Sequence, residues 1–283
     1  MNQQAHGISP YCGLPPLPSG LWQRWNFDPI LITALVAVMA AYLVAARFAG
    51  EADASDERGR RGYFVAGWLI TAAALVSPLC ALSVSLFSAR VGQHMILALV
   101  AAPLVIVGRP DALFRRLLPA GADWLASRQL VKVCTSAPGA AVLFAILLWV
   151  WHAPGPYAAT FSSSSVYWLM HLSLFSSALL VWAVVLDRSA SGAISALAAG
   201  VFTTLQMTFL GALITIAHHA LYLPHAATTA AWGMTPLTDQ QLGGAIMWVP
   251  ACTVFTGATV IALARVLRES SDPRPLPSTS LLS

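Results

Sequence analysis

Residues 193–217 read AISALAAGVFTTLQMTFLGALITIA, an unbroken run without a single Asp, Glu, Lys or Arg. Wound as an α-helix, such a run is about 37 Å long, more than the roughly 30 Å of a bilayer's hydrocarbon core. It shows no alternation of apolar and polar residues, which a barrel strand would need. Peptide groups left unpaired in lipid are too costly to tolerate, so the run must be a spanning helix. Six further stretches share its character: 29–46, 63–87, 91–108, 137–153, 165–186 and 243–264. The expected fold is therefore all-α, a polytopic bundle of about seven transmembrane helices.

Composition points the same way. Of 283 residues, 58% are hydrophobic and 9% charged, whereas a soluble domain carries about a quarter charged residues. The mean hydropathy is +0.71. The net charge of +4 is spread over short loops; it forms no basic stripe, so no nucleic-acid partner is expected and the lipid bilayer is. Three prolines mark helix geometry. Pro138 belongs in the first turn of the fourth span, where its missing N–H costs nothing. Ser77-Pro78 in the second span and Pro103 in the third should each kink the helix or end a regular stretch.

The flanks differ from the spans. Residues 1–28 lack the basic start and apolar core of a signal peptide and are expected to stay as an outer N-terminal arm. Residues 110–132 mix Leu113, Phe114 and Trp124 with Arg115, Arg116, Arg128 and Lys132, the pattern of an interfacial amphipathic segment. The transmembrane domain then covers 29–268, and the Ser- and Pro-rich residues 269–283 are expected to form a disordered cytoplasmic tail. Cys12, Cys80, Cys134 and Cys252 make no CxxC pair, which argues against a thiol redox motif or structural zinc. Cys80 and Cys252 are expected to act as small apolar packing residues.

Lys and Arg set the orientation. With seven spans, one side receives Arg47, Arg58, Arg60, Arg61, Arg109, Arg115, Arg116, Arg128, Lys132, Arg188, Arg265, Arg268 and Arg274, and the other only Arg24 and Arg90. The positive-inside rule puts the N-terminus outside and the C-terminus in the cytoplasm. Trp22, Trp25, Trp151, Tyr157, Tyr167, Trp168, Tyr222, Trp232 and Trp248 then fall at the outer helix ends, where amphipathic rings prefer to sit.

Orientation also sorts the histidines. His6, His94, His152, His171, His218, His219 and His225 all lie in the outer half. Met95 adjoins His94, Met170 adjoins His171, and Met247 is about one turn into the last span. Ionisable groups within spans are costly and usually functional, and imidazole with thioether suits copper. The candidate copper ligands are His94, His171, His218, Met95, Met170 and Met247, with His152, His219, His225, Asp239 and Gln240 secondary. Met207 lies about 16 Å deeper than His218 and could only line a path. Histidines bonding helix to helix and methionines filling gaps are the plainer alternatives. In PLTDQQLGG, Thr238 or Asp239 is expected to cap the last helix; Asp239 could also orient a ligand imidazole.

Read together, the segments WNFDP (25–29), Ser-Pro-Leu (77–79), GQHMILALVAAPLVIVGRP (92–110), WHAPGPY (151–157), YWLMHLSLF (167–175) and LTDQQLGGAIMWVP (237–250) resemble the CtaG-type integral membrane cytochrome c oxidase assembly factors. The similarity covers roughly residues 22–268. The resemblance implies a non-catalytic role in maturing a haem–copper oxidase at the bacterial cytoplasmic (inner) membrane. It also implies transient binding of copper at the outer face, with oxidase subunits as partners and an external or periplasmic copper donor. His94, His152, His171, Asp239 and Gln240 stand at the family's motif positions. Two other readings compete: a haem b electron-transfer protein ligated by His94 and His171, and a copper or proton transporter. The transporter lacks ionisable residues in the inner half of its spans. No nucleophile–base pair or phosphate-binding loop points to an enzyme.

Overall fold

A computed structural model describes residues 10–47, 54–110, 129–187 and 192–271, and no strand occurs among them. The helices are α1 (Pro29–Arg47), α2 (Ala54–Val76), α3 (Pro78–Ser85), α4 (Phe87–Met95) and α5 (Ala102–Val107), the last two joined by a π-helical segment, Ile96–Ala101. They continue with α6 (Gln129–Thr135), α7 (Ala137–His152), α8 (Pro154–Ser162), α9 (Ser164–Val185), α10 (Ala193–Ile216) and α11 (Pro236–Ser271). Five apolar helices are each long enough to cross a membrane: Pro29–Arg47, Phe87–Val107, Ser164–Val185, Ala193–Ile216 and Pro236–Ile261. The pairs α2–α3 and α7–α8, bent by 50° and 71°, raise the number to seven if each pair is one span. The chain is thus an all-α polytopic membrane protein.

The breaks have local causes. Before Pro78, Ser77 leaves the helical region and its hydroxyl accepts the Leu79 amide, so the regular stretch ends there, one of the two expected outcomes. The second break, at Ala153-Pro154, goes beyond the expected end of a span at 153. Ala153 is extended, as a residue before proline tends to be, and the chain restarts as α8 instead of entering a loop. Pro138 sits at the start of α7 as anticipated.

Near Pro103 the regular α-helical stretch is interrupted, as expected, by an irregular turn. The chain widens into the π-helical segment, where the Ala102 N–H reaches back five residues to the Leu97 carbonyl. In that register the partner of the Ala98 carbonyl would be Pro103, which has no N–H. The indole N–H of Trp182 donates to that carbonyl instead, at 2.7 Å.

The third helix also begins at Phe87, four residues earlier than its apolar run. Arg90 is therefore not an outer-loop residue as the charge tally had it; it lies within α4 and is 1% exposed. At the far end, α11 runs on to Ser271, past the expected end of its span at 264. Most of the expected amphipathic segment, residues 111–128, and of the tail, residues 272–283, lies outside the described residues, as does His6.

The main core of the bundle buries Phe87, Met95, Phe144, Leu148, Met170 and Met247 together, with smaller clusters around Tyr42 and Leu31. Helices α10 and α11 pack tightly where Gly244 meets Gly211; a Cβ on Gly244 would stand 2.8 Å from the Gly211 carbonyl. Small residues allow such contact where no hydrophobic drive separates helix from lipid.

The N-terminal arm is fastened to this core. A disulfide joins Cys12 to Cys80, which corrects the reading of Cys80 as a mere packing residue. Tyr11 stacks on Tyr167 at 4.8 Å and meets Trp168 edge-on at 5.0 Å. WNFDP completes the attachment. Asn26 bonds to the backbone of Leu75 and Val76, and Asp28 accepts the Ile30 amide at 2.8 Å to cap α1. The Tyr11 hydroxyl donates to Asp28 at 2.6 Å. That bond holds the Asp28 carboxyl below its usual range, while burial, then Asp28 itself, pushes the Tyr11 hydroxyl up.

Candidate metal site

His94 lies in the last turn of α4, just before the π-helical segment, and His171 lies two turns into α9. Their rings meet edge to face with centroids 5.0 Å apart. His171 is anchored: its Nδ1–H donates to the Tyr167 carbonyl at 3.0 Å, leaving the lone pair on Nε2. That Nε2 has no hydrogen-bond partner, and neither does Nδ1 or Nε2 of His94, although all three atoms are buried. Orphaned polar atoms of this kind are rare and call for a ligand or a water.

Both rings line a cavity of about 20 Å³, room for roughly one water-sized guest. Its wall includes His94, Met95, His171, Leu148, Leu174 and Ala98. Ala98 belongs to the π-helical segment, so the backbone irregularity set by Pro103 forms part of the cavity. Apart from the proline itself, helical spacing carries no signal for it.

The other expected residues divide. Met95 lines the cavity; Met170 and Met247 are fully buried in the same core. His152 donates its Nδ1–H to the Leu148 carbonyl at 2.7 Å, the same anchoring used by His171, and lies within electrostatic range of His94. His218 and His219 are exposed in the bend after α10. His225 is buried elsewhere, 2.6 Å from the Tyr157 hydroxyl. Burial, with the Arg90 charge second, pushes its imidazole down to about 3. Among the described residues no three His, Cys, Asp or Glu side chains converge on a metal position.

Asp239 and Gln240 are clamps. The N-cap of α11 is Thr235, whose hydroxyl accepts the Thr238 amide at 3.1 Å; this overturns the assignment of that cap to Thr238 or Asp239. The Asp239 carboxylate instead caps α4, accepting the amides of Phe87 at 2.7 Å and Ser88 at 3.1 Å and the Ser88 hydroxyl. A carboxylate at a helix N-terminus satisfies free amides and complements the helix dipole. Gln240 serves the chain leaving α10: its oxygen accepts the Leu221 amide at 2.6 Å, and its amide donates to the carbonyls of Ile214 and His219. The TDQQ motif thus fixes the end of the helix carrying His94.

Arg90 is the residue that sequence reading missed. Its Nη1 donates to the Thr160 hydroxyl at 2.6 Å. The guanidinium carbon lies 4.1 Å from the ring centre of Phe161, 5.3 Å from Tyr157 and 5.8 Å from Tyr167. No carboxylate among the described residues pairs with it, and its Nε is buried without a partner.

Fold and site together define a polytopic helical membrane protein with a buried histidine pair facing a small cavity near one end of the bundle. The sequence matches the cytochrome c oxidase caa3 assembly factor family over residues 40–269, most of the chain, and the protein belongs to that family. No curated protein and no solved structure matches it.

Proposed function

We propose that this assembly factor carries copper as transient cargo between His94 and His171, with Met95 as the adjoining thioether, and passes it to the oxidase. The observation that carries the reading is the set of three buried imidazole nitrogens without partners around a cavity of single-ion size. The donor set fits: imidazole and thioether are both good copper ligands. Anchoring of Nδ1 on a backbone carbonyl is how ligand histidines are commonly oriented. A site with two histidines and, among the described residues, no converging third His, Cys or carboxylate suits cargo that must leave again. The copper would arrive from an external donor and serve oxidase subunits at the outer face of the bacterial cytoplasmic membrane; no catalysis is required of this chain.

The haem reading fits poorly. Rings 5.0 Å apart with a one-water cavity leave no space for a porphyrin between His94 and His171. The transporter reading gains no support in the inner half of the spans.

The test is copper retention by protein purified in detergent after loading with Cu(I). Wild type should hold about one copper per chain, and His94→Ala and His171→Ala should each lose it while remaining folded. His218→Ala and His219→Ala should keep it. Equal retention in the His94 and His171 variants overturns the site. In a host lacking the gene, full copper occupancy of the terminal oxidase would refute the assembly role for copper.

A further inference from the structure

We infer that Arg90 is a specificity-determining residue: its buried, uncompensated charge makes the neighbouring histidine site accept monovalent Cu(I) and reject divalent ions. The inference rests on the copper reading and deepens it by naming the charge state of the cargo.

The argument begins with where the charge is. Arg90 lies one helical turn before His94 on α4, a spacing that puts the two side chains on neighbouring parts of one face. Tyr167 links the guanidinium to the other histidine: it is 5.8 Å from the guanidinium carbon and 4.1 Å from the His171 ring. The charge is therefore at most about 10 Å from His171, where an interior effective dielectric near 20 still transmits a substantial interaction. Arg90 acts electrostatically on both His94 and His171.

Next comes what offsets it. The nearest buried carboxylate, Asp239, is committed to the amides of Phe87 and Ser88 at the start of α4, further along the helix from His94 than Arg90 is. It acts on Tyr157, on the Arg90 side of the helix. Arg90 itself is held by Thr160 and by the faces of aromatic rings. Those contacts stabilise a cation without neutralising it. The field at the cavity is thus positive.

A positive field opposes any entering cation, and it opposes a divalent one by an additional unit charge. None of the described residues lining the cavity is anionic. Cu(I) carries half the charge of Cu(II), Zn(II) or Ni(II) and loses correspondingly less. The Met95 thioether favours Cu(I) independently, so the two contributions must be separated by experiment.

Detergent-purified protein is titrated with Cu(I) and Ag(I) in competition with a chromophoric cuprous chelator, and separately with Cu(II) and Zn(II). Wild type should bind the monovalent ions and bind Cu(II) much more weakly. Arg90→Gln should shift the Cu(I)/Cu(II) affinity ratio toward Cu(II) by on the order of tenfold. Arg90→Lys, which keeps the charge, should hold the wild-type ratio. Thr160→Asp, which places a carboxylate at Nη1 while retaining Arg90, should reproduce the shift if Arg90→Gln does not fold. An unchanged ratio in either folded charge-neutralised variant assigns the preference to the thioether and overturns the inference. So does wild-type protein that binds Cu(II) as tightly as Cu(I). Wild-type protein that binds no copper or silver at all would instead remove the copper reading beneath it.

Discussion

Asp239 illustrates how a buried carboxylate is sustained in a membrane protein. It is fully buried, yet it accepts two backbone amides and a hydroxyl at the start of α4. Asp239→Asn would replace one accepting oxygen with an NH₂ facing those donors. The expected loss is about 1–3 kcal/mol, the usual cost of leaving buried donors unpaired, read as a lower unfolding temperature in detergent. An unchanged unfolding temperature would show that the cap contributes little. The sequence made Asp239 visible as a capping residue, but local spacing assigned it to its own helix. The true partner is some 150 positions away and only the packing of α11 on α4 brings it near. His225 gives a second prediction at this scale. Folded, its imidazole titrates at about 3 against an ordinary 6.5. Between those values the unfolded chain binds a proton that the folded chain does not. Stability is therefore present above about pH 6.5 and falls as pH drops toward 3, with a slope of up to about 1.4 kcal/mol per pH unit from this residue. His225→Asn should flatten the acid limb relative to wild type; superimposable limbs would contradict the assignment.

Among the elements, the π-helical segment connects a sequence feature to the candidate site. Pro103 was legible as a perturbation of its helix, but its effect depended on a partner from another helix. The Ala98 carbonyl, deprived of a donor by the π register and the proline, is satisfied by Trp182 on α9. The same segment supplies Leu97 and Ala98 to the cavity wall, consistent with the frequent location of such bulges at functional sites. Trp182→Phe keeps the ring but removes the N–H, leaving a buried carbonyl unpaired. The expected cost is about 1–3 kcal/mol, measured by thermal unfolding in detergent, with a larger effect than Trp149→Phe on the partly exposed face of α7. Equal effects would mean that the bond is dispensable. The spans themselves were legible because lipid imposes a single solution on a long apolar run. The Ser77-Pro78 break was legible too. The start of the third helix was not, because the charge of Arg90 suggested a loop and only the aromatic surfaces of Phe161, Tyr157 and Tyr167 make its burial tolerable.

Across the whole molecule, the arm and the histidine pair are mechanically one structure. The Cys12–Cys80 bond draws the arm over the end of α9, and the Tyr167 hydroxyl contacts both sulfurs, at 3.3 and 3.7 Å. Tyr167 also provides the carbonyl that anchors His171. The pairing was hidden from the sequence by a separation of 68 residues, although sidedness held a usable sign. The positive-inside rule assigns Cys12 and Cys80 to the outer side, where disulfides persist, and does not assign Cys134 and Cys252, which remain free, to it. Closing a loop of this length restricts the unfolded chain by about 4 kcal/mol in the chain-entropy account. Cys12→Ser, Cys80→Ser and the double variant should therefore be destabilised by similar amounts, since each removes the same bond, and Cys134→Ser should match wild type. Unfolding temperatures in detergent, with and without reductant, measure this: reductant should lower the wild-type value to that of the variants and leave theirs unchanged. Wild type indifferent to a reductant that demonstrably reaches the bond would mean that the arm is held by Tyr11, Asn26 and Asp28 alone. Copper retention measured on the same samples separates two roles for the tether. If the variants fold but release copper, the arm orients α9 at His171; if they retain it, the disulfide serves only the fold.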